Sequence, residues 1–447
     1  MNAMMNAMAM SPRGWWRRHP VTATEAAPVP DSHLAFGGLI AFTFVLLLAP
    51  QMMVPALAVL SFIRPALFAA SVAALSYLCN RMLTGRPLTV YTRELWLGVA
   101  LLAWACVTVP TSYWPGGSVA VISGVFVKSL LVFWLIANVV NTPQRLRRFM
   151  IVLGLGGAPL ALVAILNYRA GVFMDGGAIA VKRISGYDAP LTQNPNDLAL
   201  MLNLLVPLAI GLLLTRPRPL LRALLLMTIG LEVIGIILTF SRAGFLAMGI
   251  TTVAWLWKFR RRPERGWVIA ILVLGIACLP LLPSGYTQRL ATMVNAKADP
   301  TGSAQARWHD TVAAIGYVSE NPVIGAGIGQ DILALNEVRG LGWRSVHNVY
   351  LQYAVDLGLP GAILFVVLLG FCLRSAASVE RSSLGEDLPA LAVGVRISLV
   401  AFVAAACFHP AGYHFYFFYI AGLAVSLRLI ATSIRPRAAA AAASGAA

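Results

Sequence analysis

Apolar residues run along this chain in long blocks separated by short polar punctuation. A helix needs about 20 predominantly apolar residues to cross a bilayer, and twelve blocks qualify. They lie at roughly 34–50, 55–80, 93–109, 118–138, 148–168, 197–214, 219–239, 242–257, 266–283, 348–373, 389–409 and 412–431. Arg64-Pro65 can break the second block into two shorter helices, because proline lacks an N–H and its ring clashes with the preceding turn. The pattern predicts an all-α polytopic membrane protein with about 12 transmembrane helices. Residues 1–33 read as a cytoplasmic N-terminal tail, 34–283 as helices one to nine, 284–347 as a large outer loop, 348–431 as helices ten to twelve, and 432–447 as a low-complexity cytoplasmic tail. The Ala/Ser/Gly composition from Ala438 onward predicts disorder there.

Charge then orients the helices. Lys and Arg number 34 against 17 acidic residues, a net charge of +17. In a soluble protein that would suggest nucleic acid, but here the basic residues fall in short runs between apolar blocks. With the N-terminus in the cytoplasm, alternate connections carry Arg81/Arg86/Arg93, Arg145/Arg147/Arg148, Arg216/Arg218/Arg222, Lys258/Arg260/Arg261/Arg262/Arg265, Arg374/Arg381 and Arg435/Arg437. Every predicted cytoplasmic connection is basic, which is the positive-inside bias. Nine basic residues oppose it: Arg169, Lys182, Arg183, Arg242, Arg289, Lys297, Arg307, Arg339 and Arg344. Orientation does not account for them, and as a group they point to an anionic ligand on the outer side.

Composition confirms the solvent: 59% of residues are hydrophobic and 11% charged, against about a quarter charged in an ordinary soluble domain. All five cysteines sit inside apolar blocks without metal-ligand spacing, so neither a disulfide framework nor a zinc site is expected.

Two outer connections are long, about 169–196 and 284–347, and long loops on a compact scaffold tend to carry function. In the second, Ser303 can cap a helix running to about Ser319 and stopped by Asn321-Pro322. Trp308, Val312 and Ile315 give it an apolar stripe with which to lie along the membrane surface and roof a cavity. Gly325-Ala326-Gly327-Ile328-Gly329 lacks the spacing of a phosphate-cradling loop and reads as a flexible turn. His347 is expected in the first turn of the tenth span. There the helix N-terminus disfavours imidazolium, leaving either a general base for a hydroxyl or a capping, interfacial histidine. Arg242 joins two spans through almost no loop. Its guanidinium is either a bidentate fork for phosphate or snorkels to lipid headgroups. Glu232, deep in the seventh span, has Lys128 and Arg64 as its expected counter-ions. His409 and His414 read as part of an interfacial aromatic belt. A secondary transporter is a further reading of the helix count, but the hydropathy lacks the repeated halves expected of one.

Three stretches carry a resemblance: Arg183-Ile184-Ser185-Gly186 with Asn194-Pro195-Asn196; Thr239-Phe240-Ser241-Arg242-Ala243-Gly244; and His347-Asn348-x-Tyr350-Leu351-Gln352 with Leu357-Gly358. Arg307-Trp308 and Asn321-Pro322-x-x-Gly325-x-Gly327 add to it. Their order, over about residues 180–375, resembles the O-antigen ligase and polymerase superfamily of bacterial envelope enzymes. The resemblance implies a glycosyltransferase of type C-like fold, multi-pass in the bacterial inner membrane with its active site facing the periplasm, needing no cofactor and no metal. The scattered outer carboxylates fit the last point. It implies an undecaprenyl diphosphate-linked glycan as donor, held by Arg242, Arg307, Arg183 and Arg289, with His347 acting on the acceptor hydroxyl and inversion at the anomeric carbon. Among its members' activities, a ligase acting on the lipid A-core oligosaccharide is expected ahead of a polymerase or an O-linked protein oligosaccharyltransferase. Its partners would be these two substrates and membrane lipid, with no nucleic acid.

Overall fold

The computed structural model describes residues 32–174, 183–260, 302–340, 342–385 and 387–444, with 266 and 269. Among them the chain is helical, with no strand and a single isolated bridge between Phe173 and Ile184. The helices are α1 (His33–Leu48), α2 (Pro50–Met53), α3 (Pro65–Leu83), α4 (Arg93–Val107), α5 (Pro115–Val121), α6 (Val127–Val139), α7 (Pro143–Ala170), α8 (Pro195–Leu214), α9 (Pro219–Leu238), α10 (Arg242–Phe259), α11 (Ser303–Glu320), α12 (Asp331–Arg339), α13 (Val349–Glu380), α14 (Asp387–Ala406) and α15 (Phe415–Ser444). Among the described residues nine spans are long and apolar enough to cross a bilayer. They are His33–Met53, Pro65–Leu83, Pro115–Val139, Pro143–Ala170, Pro195–Leu214, Pro219–Leu238, Val349–Glu380, Asp387–Ala406 and Phe415–Ile434. Of the other three expected spans, two form helices of 15 and 18 residues, α4 and α10. The ninth, 266–283, lies outside the described residues apart from Gly266 and Ile269.

Local chemistry sets the breaks. The expected interruption at Arg64-Pro65 is present: Pro55–Ile63 winds as a 3-10 helix, Arg64 turns left-handed at φ 47°, and Pro65 opens α3. At the far end α15 runs to Ser444; alanine has the highest helix propensity of any residue.

Bundle packing rests on small residues where helices cross. Helix α14 packs along α8, α3 along α1, and α9 along α7. A Cβ on Gly211 of α8 would lie 2.9 Å from the Cα of Gly394 on α14, a backbone approach that only small residues permit between membrane helices. Gly157 of α7 makes room for the buried Glu232 of α9 in the same way. The expected partners of Glu232 are not there: Lys128 and Arg64 are exposed, and neither carboxylate oxygen has a hydrogen-bond partner. At the predicted cytoplasmic ends, buried carboxylates are paired. Glu94 accepts from Arg428 at 2.6 Å and Ser375 at 2.6 Å, while Glu380 takes Arg396 at 2.8 Å and Lys258.

The segment from α11 to α13 is locked onto the bundle by one broken helix. Within α13, Pro360 has no N–H to give the Asp356 carbonyl, and Gly358 is non-helical at φ 67°, ψ −177°. The Leu359 N–H turns away to the Pro322 carbonyl at 2.8 Å. The freed carbonyls of Val355 and Asp356 accept Ala326 N–H and Gly327 N–H, each at 2.8 Å. Gly325, Gly327 and Gly329 all have positive φ, and Ala326 and Ile328 are fully buried. The glycine run is therefore a packed turn fastened to α13, where the sequence suggested a flexible one.

Candidate functional site

Where α8 and α13 begin, and where α14 hands over to α15, the chain encloses a cavity of about 250 Å3. Asn194, Asn196 and Asp197 line it from the start of α8, His347 from the segment before α13, His409 and His414 from the α14–α15 connection, and Tyr416 from the start of α15. Three imidazoles and a carboxylate thus share one small polar space at the end of a hydrophobic bundle. Sequence reading found His347 but assigned His409 and His414 to an interfacial belt. More than 60 residues separate them from His347, so no local spacing could have joined them.

His347 stands two residues before the first helical residue of α13, Val349, and not in its first turn. Asn348 is the N-cap of α13, its side chain accepting the N–H groups of Tyr350 at 2.9 Å and Leu351 at 3.1 Å, so His347 precedes the helix instead of occupying its first turn. Its Nδ1 is 3.0 Å from the Ser345 carbonyl. A carbonyl only accepts, so Nδ1 carries the proton and Nε2 keeps its lone pair. Burial first, and the positive charge of Arg307 on α11 after it, push the imidazole down to about 4 against the opposing pull of the Ser345 bond. The neutral state expected for it is present, but desolvation and Arg307 account for it rather than the helix dipole.

A buried carboxylate relay fixes this geometry. Asp356 accepts the N–H groups of Gln330 at 2.9 Å and Asp331 at 2.7 Å, and the Tyr413 hydroxyl donates to it at 2.9 Å. Asp331 in turn accepts the Val346 N–H at 2.8 Å and the Ser345 hydroxyl at 3.2 Å. Burial raises the Asp331 carboxyl, and these hydrogen bonds and Arg339 work against that rise. Neither aspartate stood out in the sequence, where both look like isolated acids near helix ends.

Arg183 and the N-cap of α10 come together through Asn196. The Asn196 Oδ1 accepts from Arg183 at 2.8 Å and from the Ser241 hydroxyl at 2.9 Å. Ser241 is the N-cap of α10, accepting the Gly244 N–H at 3.2 Å, which makes Arg242 the first residue of that helix. The two motif stretches that are about 50 residues apart in sequence are thus tied side chain to side chain. Arg289 lies outside the described residues, as do Lys182 and Lys297.

Helix α11 runs Ser303–Glu320 as expected, but Gly302 occupies the cap position and Ser303 is the first helical residue. Its face carrying Asp310, Ala314 and Tyr317 is buried, and Trp308, Val312 and Ile315 are exposed. Arg339 and Arg344, two of the outer cations, share one buried carboxylate. Both guanidiniums contact Asp310, at 2.6 Å and 2.8 Å, beside a larger cleft of about 520 Å3 between α11 and α12. Among the described residues, no group of three or more His, Cys, Asp and Glu side chains is arranged to hold a metal ion.

Helices of this length and apolarity, with a polar cavity at one end of the bundle, define a polytopic membrane protein. Residues 223–366 match the family model described as O-antigen ligase, which supports the resemblance to the O-antigen ligase superfamily. The matched stretch includes Arg242, Arg307 and His347; Arg183 and the α14–α15 connection lie outside it. No curated protein matches the chain.

Proposed function

We propose that this protein is an O-antigen ligase of the bacterial inner membrane. It transfers polysaccharide from undecaprenyl diphosphate to the lipid A-core oligosaccharide at the periplasmic face. The observation that carries this reading is His347: a neutral imidazole, tautomer set by Ser345, with Nε2 left to accept a proton at a cavity whose floor connects through Asn196 to Arg183 and the start of α10. In the reaction, the acceptor hydroxyl is oriented by His347 and attacks the anomeric carbon from the face opposite the diphosphate, which inverts the configuration. Arg242, Arg307, Arg183 and Arg289 hold the donor diphosphate and neutralise the charge that grows on it as the glycosidic bond breaks, the electrostatic role that dominates many such reactions. Guanidinium suits this task because its planar fork binds phosphate oxygens in pairs.

The experiment is deletion of the gene with analysis of lipopolysaccharide and of the glycan left on the lipid carrier. Long chains stranded on undecaprenyl diphosphate, with rough lipopolysaccharide, are the expected result. Single repeat units on the carrier would instead make the protein a polymerase.

A further inference from the structure

One amide stands between the outer arginines and the polar cavity. Asn196 Oδ1 accepts from Arg183 at 2.8 Å and from the Ser241 hydroxyl at 2.9 Å. A guanidinium only donates, so the oxygen is the end of the amide turned to Arg183 and the nitrogen is the end turned away. The backbone N–H of Asn196 is taken by Asn194 Oδ1 at 2.8 Å. No partner among the described residues takes the two N–H groups of its side chain. Asn196 is half-buried and belongs to the cavity lining, so its amide is a donor held in place with nothing yet to donate to.

The rest of the lining suits hydroxyls and disfavours phosphate. It includes the Asp197 carboxylate and neither Lys nor Arg, and a diphosphate set beside a carboxylate meets like-charge repulsion. Burial holds the imidazoles of His347 and His414 towards their neutral forms, so these two add polar atoms without adding positive charge. Tyr416 gives its hydroxyl to the Leu191 carbonyl at 2.6 Å, which leaves its ring, with Phe408 and Pro410, as the apolar share of the wall. An apolar wall with a few placed polar groups is the usual form of a small-ligand site. Here the polar groups are amides, neutral imidazoles and a carboxylate. They match a sugar, whose hydroxyls both give and accept hydrogen bonds.

We propose that the cavity is the subsite for the acceptor sugar, with the diphosphate kept on the arginine side of Asn196, and that Asn196 and Asp197 read the hydroxyls of that sugar. The Asn196 amide gives a hydrogen bond to one hydroxyl, and the Asp197 carboxylate accepts one from another. This rests on the glycosyl-transfer reading above and gives its acceptor a place, since His347 lines the same cavity. The two residues set which acceptor is taken, and the proton transfer is left to His347. Both lie outside the stretch 223–366 that matches the family model.

The test uses the full chain in nanodiscs with an undecaprenyl diphosphate-linked oligosaccharide donor and lipid A-core acceptors carrying single deoxy sugars at the accepting residue. Undecaprenyl diphosphate without glycan serves as a separate binding probe. Wild type is expected to take at least one deoxy acceptor with a KM about 10-fold above that of the parent, the scale of one lost hydrogen bond. Asn196→Asp keeps an oxygen for Arg183 and Ser241 and removes the N–H donors. It is expected to raise the KM for the parent acceptor about 10-fold and to add no further penalty with that deoxy acceptor, the coupling that direct contact requires. Affinity for undecaprenyl diphosphate should fall by less than the acceptor KM rises. Asp197→Asn should show the same coupling with a different deoxy acceptor. Equal KM for every deoxy acceptor in wild type, or additive penalties in both variants, would overturn the subsite and leave the transferase reading standing. A fall in undecaprenyl diphosphate affinity in Asn196→Asp larger than the acceptor effect would assign Asn196 to the diphosphate and overturn the division. If the wild-type protein neither binds donor nor transfers glycan, the transferase reading falls and takes the subsite with it.

Discussion

The Asp331 carboxylate accepts the backbone N–H of Val346 at 2.8 Å, one residue before His347. Because Asp331 is itself held by Asp356 through a 2.7 Å bond to its own N–H, the position of the His347 backbone is set by groups on α12 and α13 that never reach the cavity. Asp331→Ala would leave the Val346 N–H unpaired in a buried setting, at a cost of about 1–3 kcal/mol. The expected outcome is a lower melting temperature and faster amide exchange at Ser345–Asn348, with transfer activity falling further than stability alone would require. Asp331→Asn should keep the volume and lose less.

His347 also makes a pH prediction. Its value of about 4 lies below the ordinary 6.5, so the unfolded chain binds a proton that the folded chain refuses. Stability is therefore unaffected above about pH 6.5, declines as pH falls through the window between the two values, and reaches its full penalty below about 4. At about 1.4 kcal/mol per unit the loss is on the order of 3 kcal/mol. Replacing His347 with Gln should flatten the decline between pH 6.5 and 4, measured by chemical denaturation in detergent. A titration of the labelled imidazole that showed it protonated at pH 6 would contradict the burial on which this rests.

How much of this was legible beforehand follows from the range of the interactions. Spans depend on local hydropathy, and the break at Arg64-Pro65 on two adjacent residues, so both could be read directly. His347, Arg242 and Arg307 were visible because each sits in a recognisable local motif. The wall formed by Asp197 and His409 was not, since its members are 212 positions apart and meet only because α8 and α14 pack side by side. The glycine run failed for a related reason: its rigidity comes from carbonyls of α13 that Gly358 and Pro360 leave free, and no inspection of residues 325–329 alone would reveal that.

The same junction gives a third prediction. A Cβ on Gly358 would lie 2.1 Å from the Val323 carbonyl oxygen, at a φ of 67° that side-chain-bearing residues rarely adopt. Gly358→Ala combines strain with a clash and should cost about 2–4 kcal/mol. Helix α13 should straighten locally and release the turn at 325–329. Protease cleavage near Gly325 in the variant, and none in wild type, would mark that release; equal resistance in both would count against the fastening described for this turn.

Asp310 gives two of the outer arginines a structural partner. It is 1% exposed in its side chain and holds Arg339, 6% exposed, and Arg344, 40% exposed. Removing one carboxylate therefore strands a buried guanidinium, a change that costs about 3–5 kcal/mol in comparable buried pairs. Asp310→Ala should destabilise α11 and α12 by that order, whereas Arg344→Ala, taking away the partly solvated partner, should cost about 1 kcal/mol or less. Under the proposed function, Arg242→Ala and Arg307→Ala should lower donor affinity by more than any loss of stability accounts for. Arg242→Lys should recover only part of it, because the ammonium keeps the charge and loses the fork. Thermal unfolding set beside donor binding for these five variants checks the division: a melting temperature that fell for Arg242→Ala as far as for Asp310→Ala would make Arg242 one more structural cation and leave the diphosphate without its proposed clamp.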